Sequence, residues 1–322
     1  MIRRSFVLLL AVSTVACSAA LAPSPPLTGP AADIAEDVAY LASPALEGRA
    51  AGSEGDDSAT LYIARRYQQL GLNGGFRSAC AADPRCAAAY FQFFRGDGWL
   101  GRNIAAVVAG TDSTRRDEYI VVGAHFDHLG NSPLYARDPE LGITLRPGAD
   151  DNASGTAALL ELGRRFAARP PPCSVLLVHF DAEELGLIGS NVFVHHLPVP
   201  RRAIALMVNL DMVGRLRTGG LTIDPSALSK AEQRTVRPIL DSAAARAGIH
   251  PRYSSLIADR SDHASFRRVG IPAVALFTGF HSDYHRASDI PSRVDAQGTA
   301  RIVDMTEAVV RACAGERAPD HH

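Results

Sequence analysis

Short apolar runs recur along the chain, and longer segments with helical periodicity separate them. The runs are rich in Val, Ile, Leu and Ala, and they cover residues 103–108, 119–124, 174–180, 204–210 and 273–277. Continuous apolar runs of this length are typical of strands that are buried on both faces of a sheet. They predict the central sheet of an α/β fold.

The segments between the runs predict helices that cover this sheet. One begins after the cap residues Asn152 and Ser154 and repeats apolar positions at Leu159, Leu162 and Phe166. The same periodicity predicts helices at 33–41, 55–70, 152–168, 186–196, 229–247, 262–269 and 296–313. Residues 73–101 show no clear period and contain several aromatic side chains, so we interpret them as a packed surface loop or as one wall of a cleft.

Ligand-type side chains follow four of the five predicted strands. His125 and Asp127 are two residues apart, so they share one face of an extended segment. An Asp placed in this way can accept a hydrogen bond from the distal imidazole nitrogen and fix the tautomer. Glu183 and Glu184 follow the next strand, and Asp211 follows the one after it.

The last strand is followed by His281, Asp283, Tyr284 and His285, while Asp150 and Asp151 open the helix of 152–168. Taken singly, each of these residues is more often a cap, a turn or a core residue, and we interpret His128 and His179 as structural. Sites in open α/β sheets collect at the carboxyl ends of strands. Four strand ends that all carry His, Asp or Glu therefore predict a metal site, in which adjacent carboxylates can act as a ligand and a free base.

Composition limits the class of protein. The chain has 322 residues with 47% hydrophobic residues, which is enough for one large domain, and its net charge of −1 gives no electrostatic case for nucleic acid. We expect a signal peptide at 1–20, a linker at 21–32, one domain at 33–316 and a tail at 317–322.

The N-terminus is typical of an exported protein. Arg3 and Arg4 precede an apolar core at 6–15 that is too short to span a bilayer. Cleavage before Cys17 would give a lipoprotein anchored at that residue, and cleavage near Ala20 would give plain secretion. We therefore expect a periplasmic, lipid-anchored or secreted protein. The four remaining cysteines allow a Cys80–Cys86 disulfide around a turn, and Cys173 and Cys313 either pair or stay free.

The motifs as a set resemble a known family, the co-catalytic two-zinc aminopeptidases. Their superfamily also includes glutamate carboxypeptidases, glutaminyl cyclases and the transferrin receptor ectodomain. The resemblance runs from Leu46 to the final helix, and its motifs are GAHFDHLG at 123–130, GADDNASGTAALLEL at 148–162, DAEELGLIGS at 181–190, NLDMVGR at 209–215, SDHASF at 261–266 and DYH at 283–285. It implies a three-layer αβα sandwich with a mixed, mostly parallel sheet, the phosphorylase/hydrolase-like zinc exopeptidase fold.

The resemblance also implies two zinc ions per chain and peptide substrates with a free N-terminus. By this resemblance the zinc ligands are His125, Asp150, Glu184, Asp211 and His285, with Asp150 as the bridging ligand. Glu183 corresponds to the general base, Asp127 to the partner of His125, and Tyr284 to a donor for the oxyanion. The family's cis peptide after the bridging Asp would be Asp150–Asp151.

Three alternatives share this scaffold. A glutaminyl cyclase uses one zinc ion. A carboxypeptidase needs a cation for the substrate carboxylate, for which Arg215 and Arg217 are candidates. A catalytically inactive binding module would have lost ligands, whereas every ligand position is filled here.

Overall fold

A computed structural model describes residues 27–76 and 86–313, and within these ranges one mixed sheet of nine strands forms the centre of the fold. The strands are β1 Asn73–Gly74, β2 Phe91–Arg95, β3 Leu100–Val108, β4 Tyr119–His125, β5 Ser174–Phe180, β6 Ile204–Leu210, β7 Thr222–Ala227, β8 Arg252–Tyr253 and β9 Ala273–Phe277. Their order across the sheet is β1-β3-β5-β4-β6-β9-β7-β8, and β2 pairs with β3.

The four central strands, β5, β4, β6 and β9, are parallel to one another. The flanking strands β3 and β7 run antiparallel to their inner neighbours. The carboxyl ends of the four central strands therefore meet at one edge of the sheet, which is where open α/β sheets carry their sites.

Helices cover both faces of the sheet. They are α1 Pro30–Leu41, α2 Glu54–Gln69, α3 Gly155–Ala168, α4 Ile188–His195, α5 Leu216–Gly219, α6 Lys230–Arg246, α7 His263–Arg268 and α8 Ala296–Cys313. Side chains of β4 alternate between two cores: Ile120 and Val122 pack in the core with α1, α2, α3 and α8, and Val121 packs with Phe193 and Phe266 of α4 and α7. The α/β sandwich with a mixed central sheet is confirmed.

All five strands and the long helices predicted from the pattern are present, with ends that differ by a few residues. Helix α1 begins three residues before the predicted start, at Pro30, because proline has no amide hydrogen to lose at a first helical position. Strand β7 carries the polar sequence TIDPSA and was missed. The expectation that 73–101 is irregular is wrong for β2, whose Phe91 pairs with Ile104.

Several predictions fall on residues outside the described ranges. These are the signal peptide at 1–20, most of the linker at 21–32, the tail at 317–322 and Cys80. Cys86 is disulfide-bonded, and its pairing with Cys80 stays a prediction. Cys173 is a free, buried thiol, which rules out a Cys173–Cys313 disulfide. None of the helices within the described ranges combines the length and the apolar character needed to cross a membrane.

Candidate metal centre

Acidic and imidazole side chains converge where the central strands end. His125 is the last residue of β4, Glu183 and Glu184 follow β5, Asp211 follows β6, and His285 lies in the loop after β9. Nitrogen or oxygen atoms of His125, Glu183 and Asp211 all lie within 4.8 Å of one another. The structure thus brings together residues that are as far apart as 160 positions in sequence, since the four strands are neighbours in the sheet.

The carboxylate of Asp151 joins two halves of this cluster. Its Oδ1 lies 3.4 Å from His125 Nε2, and its Oδ2 lies 3.1 Å from His285 Nε2. On the first side, Asp211 Oδ1 is 3.6 Å from His125 Nε2, and on the second side Glu184 Oε2 is 3.1 Å from His285 Nε2. One shared carboxylate, with one imidazole and one further carboxylate on each side, is the donor arrangement of a two-metal site.

Asp150, which the sequence indicated as the bridging ligand, points elsewhere. Its Oδ1 accepts hydrogen bonds from Gly214 N at 2.6 Å and Ser154 Oγ at 2.9 Å, and its Oδ2 lies 3.0 Å from His281 Nε2. The backbone departs from helical angles at Asp151, so the side chains of the two aspartates diverge. Asp151 and not Asp150 therefore holds the position between the two imidazoles, which corrects the expected placement of Asp150. The cis peptide is also one residue later than predicted, between Asp151 and Asn152.

Asp127 organises the turn that carries the two glutamates. Its Oδ1 accepts the amide hydrogen of Glu183 at 3.0 Å, and its Oδ2 accepts that of Glu184 at 3.2 Å. The same Oδ1 lies 3.5 Å from His125 Nδ1. One buried carboxylate therefore positions both the β4 and the β5 contributions to the cluster.

Each imidazole of the cluster has its Nδ1 occupied, so that its Nε2 faces the carboxylates. His125 Nδ1 lies 3.3 Å from the Asp127 carbonyl oxygen, and His285 Nδ1 donates to the carbonyl oxygen of Tyr135 at 3.0 Å. An acceptor at Nδ1 fixes the tautomer that leaves Nε2 free for a metal. Tyr135 carries its carbonyl in the left-handed backbone region, at φ 66°.

The electrostatics of the cluster call for a cation. Burial, together with the charges of Glu184 and Asp262, raises the pKa of Glu183 well above its usual value. Against the effect of burial, the nearby carboxylates of Asp151 and Glu184 raise the pKa of His285 to about 10. The contacts with His125 and His285 hold the pKa of Asp151 well below its usual value despite its burial. Histidine nitrogen and carboxylate oxygen at this density are the donors that zinc prefers.

A small cleft opens onto the cluster. It is lined by the cluster residues His125, Asp151, Glu183, Glu184 and Asp211, and by Met212, Ile257, Arg260, Phe277, Phe280 and Tyr284. The Tyr284 ring lies 3.9 Å from the His285 ring and 4.9 Å from the Phe280 ring, between centroids. Burial, with the nearby carboxylates, raises the pKa of Tyr284 far above its usual value, so its hydroxyl stays a hydrogen-bond donor. Phe280 lines the cleft, whereas none of the aromatic residues of 73–101 within the described ranges does.

Three buried contacts at the site were not anticipated from the sequence. His128, which we interpreted as structural, donates from Nδ1 to Glu184 Oε1 at 2.9 Å. Asp289 accepts the amide hydrogens of Asp150 and Asp151 at 2.9 and 3.1 Å. Arg215, the candidate for a substrate carboxylate, is instead enclosed by Asp150, Asp283 and Asp289. Each contact spans more than 50 residues of sequence, so no local pattern indicates it.

The interpretation of His179 as a core residue is confirmed. Its ring is fully buried, its Nε2 lies 2.7 Å from Tyr67 Oη, and burial lowers its pKa to about 3. It stands inside β5, away from the cluster.

Comparison with known proteins assigns the chain to a family. Residues 103–310 match the family model described as Peptidase family M28. Leupeptin-inactivating enzyme 1 of Streptomyces exfoliatus is 30% identical over 200 residues, which are 61% of this chain and 40% of that protein. The chain thus spans less than half the length of this curated relative.

Two solved structures share the fold. The zinc aminopeptidase BSAP from Bacillus subtilis superposes with a TM-score of 0.68 at 18% identity, over 89% of this chain and 96% of that chain. Glutaminyl cyclase from Bacteroides thetaiotaomicron, bound to N-acetylhistamine, superposes with a TM-score of 0.69 at 19% identity, over 89% and 98%. At these identities the likeness shows the architecture, and the predicted zinc exopeptidase fold is confirmed.

Proposed function

Because the chain belongs to peptidase family M28, we propose that it is a zinc-dependent aminopeptidase that holds two zinc ions and removes the N-terminal residue of peptides. The observation that carries this proposal is the Asp151 carboxylate, which is shared between the His125 side and the His285 side of the cluster. An exopeptidase of this kind needs a paired metal site next to a free base, and a carboxylate oxygen of Glu183 lies within 4.8 Å of His125 and Asp211.

The residues of the cluster fit two zinc ions. We assign His125 and Asp211 to one ion, Glu184 and His285 to the other, and Asp151 to both. His285 Nε2 is a buried nitrogen without a hydrogen-bond partner among the described residues, which suits a nitrogen that binds a metal. Zinc ions at these positions would polarise the scissile carbonyl and acidify a water molecule.

The remaining residues supply proton transfer and orientation. Glu183 takes a proton from the attacking water and passes it to the amine that leaves, so one proton moves from water to product nitrogen. Tyr284 donates a hydrogen bond to the carbonyl oxygen as negative charge develops there. The free α-amino group of the substrate lies near Glu183 and Asp211, which restricts cleavage to the first bond.

Replacement of the base tests this assignment. The Glu183→Ala variant should keep its zinc but lose at least about 10²-fold in kcat, which is the lower end for general acid–base catalysis. The assay is hydrolysis of aminoacyl-nitroanilides, with N-blocked substrates and a chelator as negative controls, and zinc content is measured on the same samples. Glu36→Ala, which removes an exposed glutamate of α1, is the matched control. Near-wild-type turnover of the Glu183 variant would reject Glu183 as the base.

Metal content separates the aminopeptidase from a glutaminyl cyclase on the same scaffold. Two zinc ions per chain favour peptide hydrolysis, and a single ion together with cyclisation of N-terminal glutamine favours the cyclase. A carboxypeptidase that uses Arg215 is disfavoured, because that guanidinium is buried among three aspartates.

We also propose that the protein is exported. The charged N-terminus, the short apolar core and the small residues before Cys17 support a signal peptide, with release into the periplasm, secretion or a lipid anchor at Cys17 as the outcomes. Mass spectrometry of the mature N-terminus distinguishes a lipidated Cys17 from plain cleavage.

A further inference from the structure

An arginine stands in the wall of the cleft. Arg260 lines the same cavity as Asp151 and Glu183, and its guanidinium carbon lies 5.0 Å from the centroid of the Phe280 ring. Its backbone amide donates to the carbonyl oxygen of Ile257, another residue of this wall, and this hydrogen bond closes a tight turn. The stacking on Phe280 holds the charged group beside the apolar part of the cleft.

Arg260 has no acidic partner among the residues that the structure describes. The adjacent carboxylate, Asp259, pairs with Arg267 instead. Arg215, another arginine close to the cluster, lies among three aspartates and is only 11% exposed, and Arg137 stacks on the Tyr284 ring without lining the cleft. Arg260 is therefore the guanidinium of the cleft that is free to bind an anion.

The positive charge of Arg260 would remain uncompensated after zinc has bound to the cluster. Two zinc ions would balance the four carboxylates of the cleft, Asp151, Glu183, Glu184 and Asp211. Arg260 is an exposed residue whose guanidinium stacks on Phe280, so an anion can reach it from the solvent as well as from the cleft. The chemical complement of a planar guanidinium is a carboxylate, which it can bind through two parallel hydrogen bonds.

We propose that Arg260 determines specificity by binding a carboxylate of the substrate. The inference rests on the proposed peptidase function and adds a substrate class to it. The carboxylate comes from one of two sources: an acidic side chain on the N-terminal residue, or the free C-terminus of a short peptide. Both place a negative charge within reach of the wall that Arg260 shares with Phe280.

Two pairs of neutral and charged substrates distinguish these sources. Glu-nitroanilide and Gln-nitroanilide differ only in the side-chain charge, and Leu-Gly and Leu-Gly-amide differ only in the C-terminal charge. The ratio of kcat/KM within each pair is measured for the wild type and for Arg260→Gln. We expect one ratio to favour the charged substrate in the wild type and to fall about tenfold in the variant, the lower end for a hydrogen bond to a charged group.

Arg268→Gln is the matched control, because Arg268 is an exposed arginine of α7 that does not line the cleft. It should leave both ratios unchanged. A second measurement needs no variant: the wild-type preference for the charged substrate should weaken as salt is raised from about 0.05 to about 0.5 M, since salt screens a partly exposed pair.

If the kcat/KM ratio of Glu-nitroanilide to Gln-nitroanilide falls in Arg260→Gln, Arg260 binds the side-chain carboxylate of the substrate. If the ratio of Leu-Gly to Leu-Gly-amide falls instead, Arg260 binds the C-terminal carboxylate. If the zinc-loaded wild type cleaves these substrates but neither ratio responds to Arg260→Gln or to salt, the inference is overturned and the proposed function stands. If the zinc-loaded wild type cleaves none of the four, the proposed function is rejected and the inference falls with it.

Discussion

At the scale of single residues, Asp150 and Asp151 are chemically identical neighbours with different surroundings. Asp151 faces two imidazoles, whereas Asp150 is held by Ser154, Gly214 and His281. The motif GADDNASG contains both and cannot say which one turns toward the cluster. The choice depends on the backbone angles at Asp151 and on partners from other segments of the chain, such as Gly214 and His285.

Neutralising the two aspartates in turn tests this correction. Asp151→Asn should lose at least one of the two zinc ions, because the shared oxygen ligands lose their charge. Asp150→Asn should keep both ions, since an amide oxygen can still accept from Gly214 N and Ser154 Oγ. Elemental analysis of the purified variants gives the zinc content per chain. Loss of zinc in the Asp150 variant with retention in the Asp151 variant would restore the original assignment.

His128 also acts at the scale of a single residue, because its Nδ1 donates a hydrogen bond to Glu184 at 2.9 Å. Replacing it with leucine should weaken zinc binding about 10- to 100-fold, as loss of a ligand's outer hydrogen bond typically does. His128→Asn keeps an N–H donor close to the Nδ1 position and should retain most of the affinity. Competition with a chromophoric chelator measures both. Equal affinities in the two variants would make His128 a packing residue only.

At the scale of elements, one buried arginine connects the loops that carry the proposed ligands. Arg49 is fully buried and donates to the carbonyl oxygens of Leu41, Phe126, Pro147 and Gly148. Phe126 lies between His125 and Asp127, and Gly148 lies three residues before Asp151. Burial lowers the pKa of Arg49 to about 10, so it remains charged at neutral pH. The contacts tie the end of α1 to both ligand loops.

Replacing this arginine should destabilise the fold. Lysine carries one nitrogen and cannot reach all four carbonyls, so Arg49→Lys should lower the free energy of unfolding by at least about 2 kcal/mol, the cost of buried acceptors left without donors. Arg164→Lys is the control, since this arginine of α3 is 44% exposed and pairs with Glu161 on the same helix. There we expect a change below about 0.5 kcal/mol. Urea denaturation measures both, and equal losses would contradict the role given to Arg49.

At the scale of the whole molecule, the metal centre lies where the two cores and the loops of the sheet edge meet. The cluster draws on β4, β5, β6, β9 and the turn before α3, so any ion bound there links segments from the entire domain. Without an ion, four carboxylates lie close together in a cleft of low dielectric. Ligands that bind only the folded state stabilise it by mass action.

Zinc removal should therefore lower the melting temperature. At a free concentration of about 100 times Kd, each site adds about 2.7 kcal/mol, and the combined effect should exceed about 5 °C. Scanning calorimetry of chelated protein before and after zinc is restored checks this. The Asp151→Asn variant should show a smaller difference. A chelated protein that melts at the wild-type temperature would argue against metal ions that link these segments.

The pattern along the chain predicts the α/β class, the strand β3 and the four central strands, the long helices and the residue types of the site. These features follow from periodicity and from strand ends, which are local along the chain. Strand β7 was missed because its sequence, TIDPSA, has little apolar pattern, although the strand pairs with β9 and β8. Tertiary structure alone decided that Asp151 takes the shared position, that His128 supports Glu184, and that Arg260 rather than Arg215 faces the cleft. The direction of a side chain depends on partners brought close by folding, and their separation in sequence leaves no local pattern to indicate it.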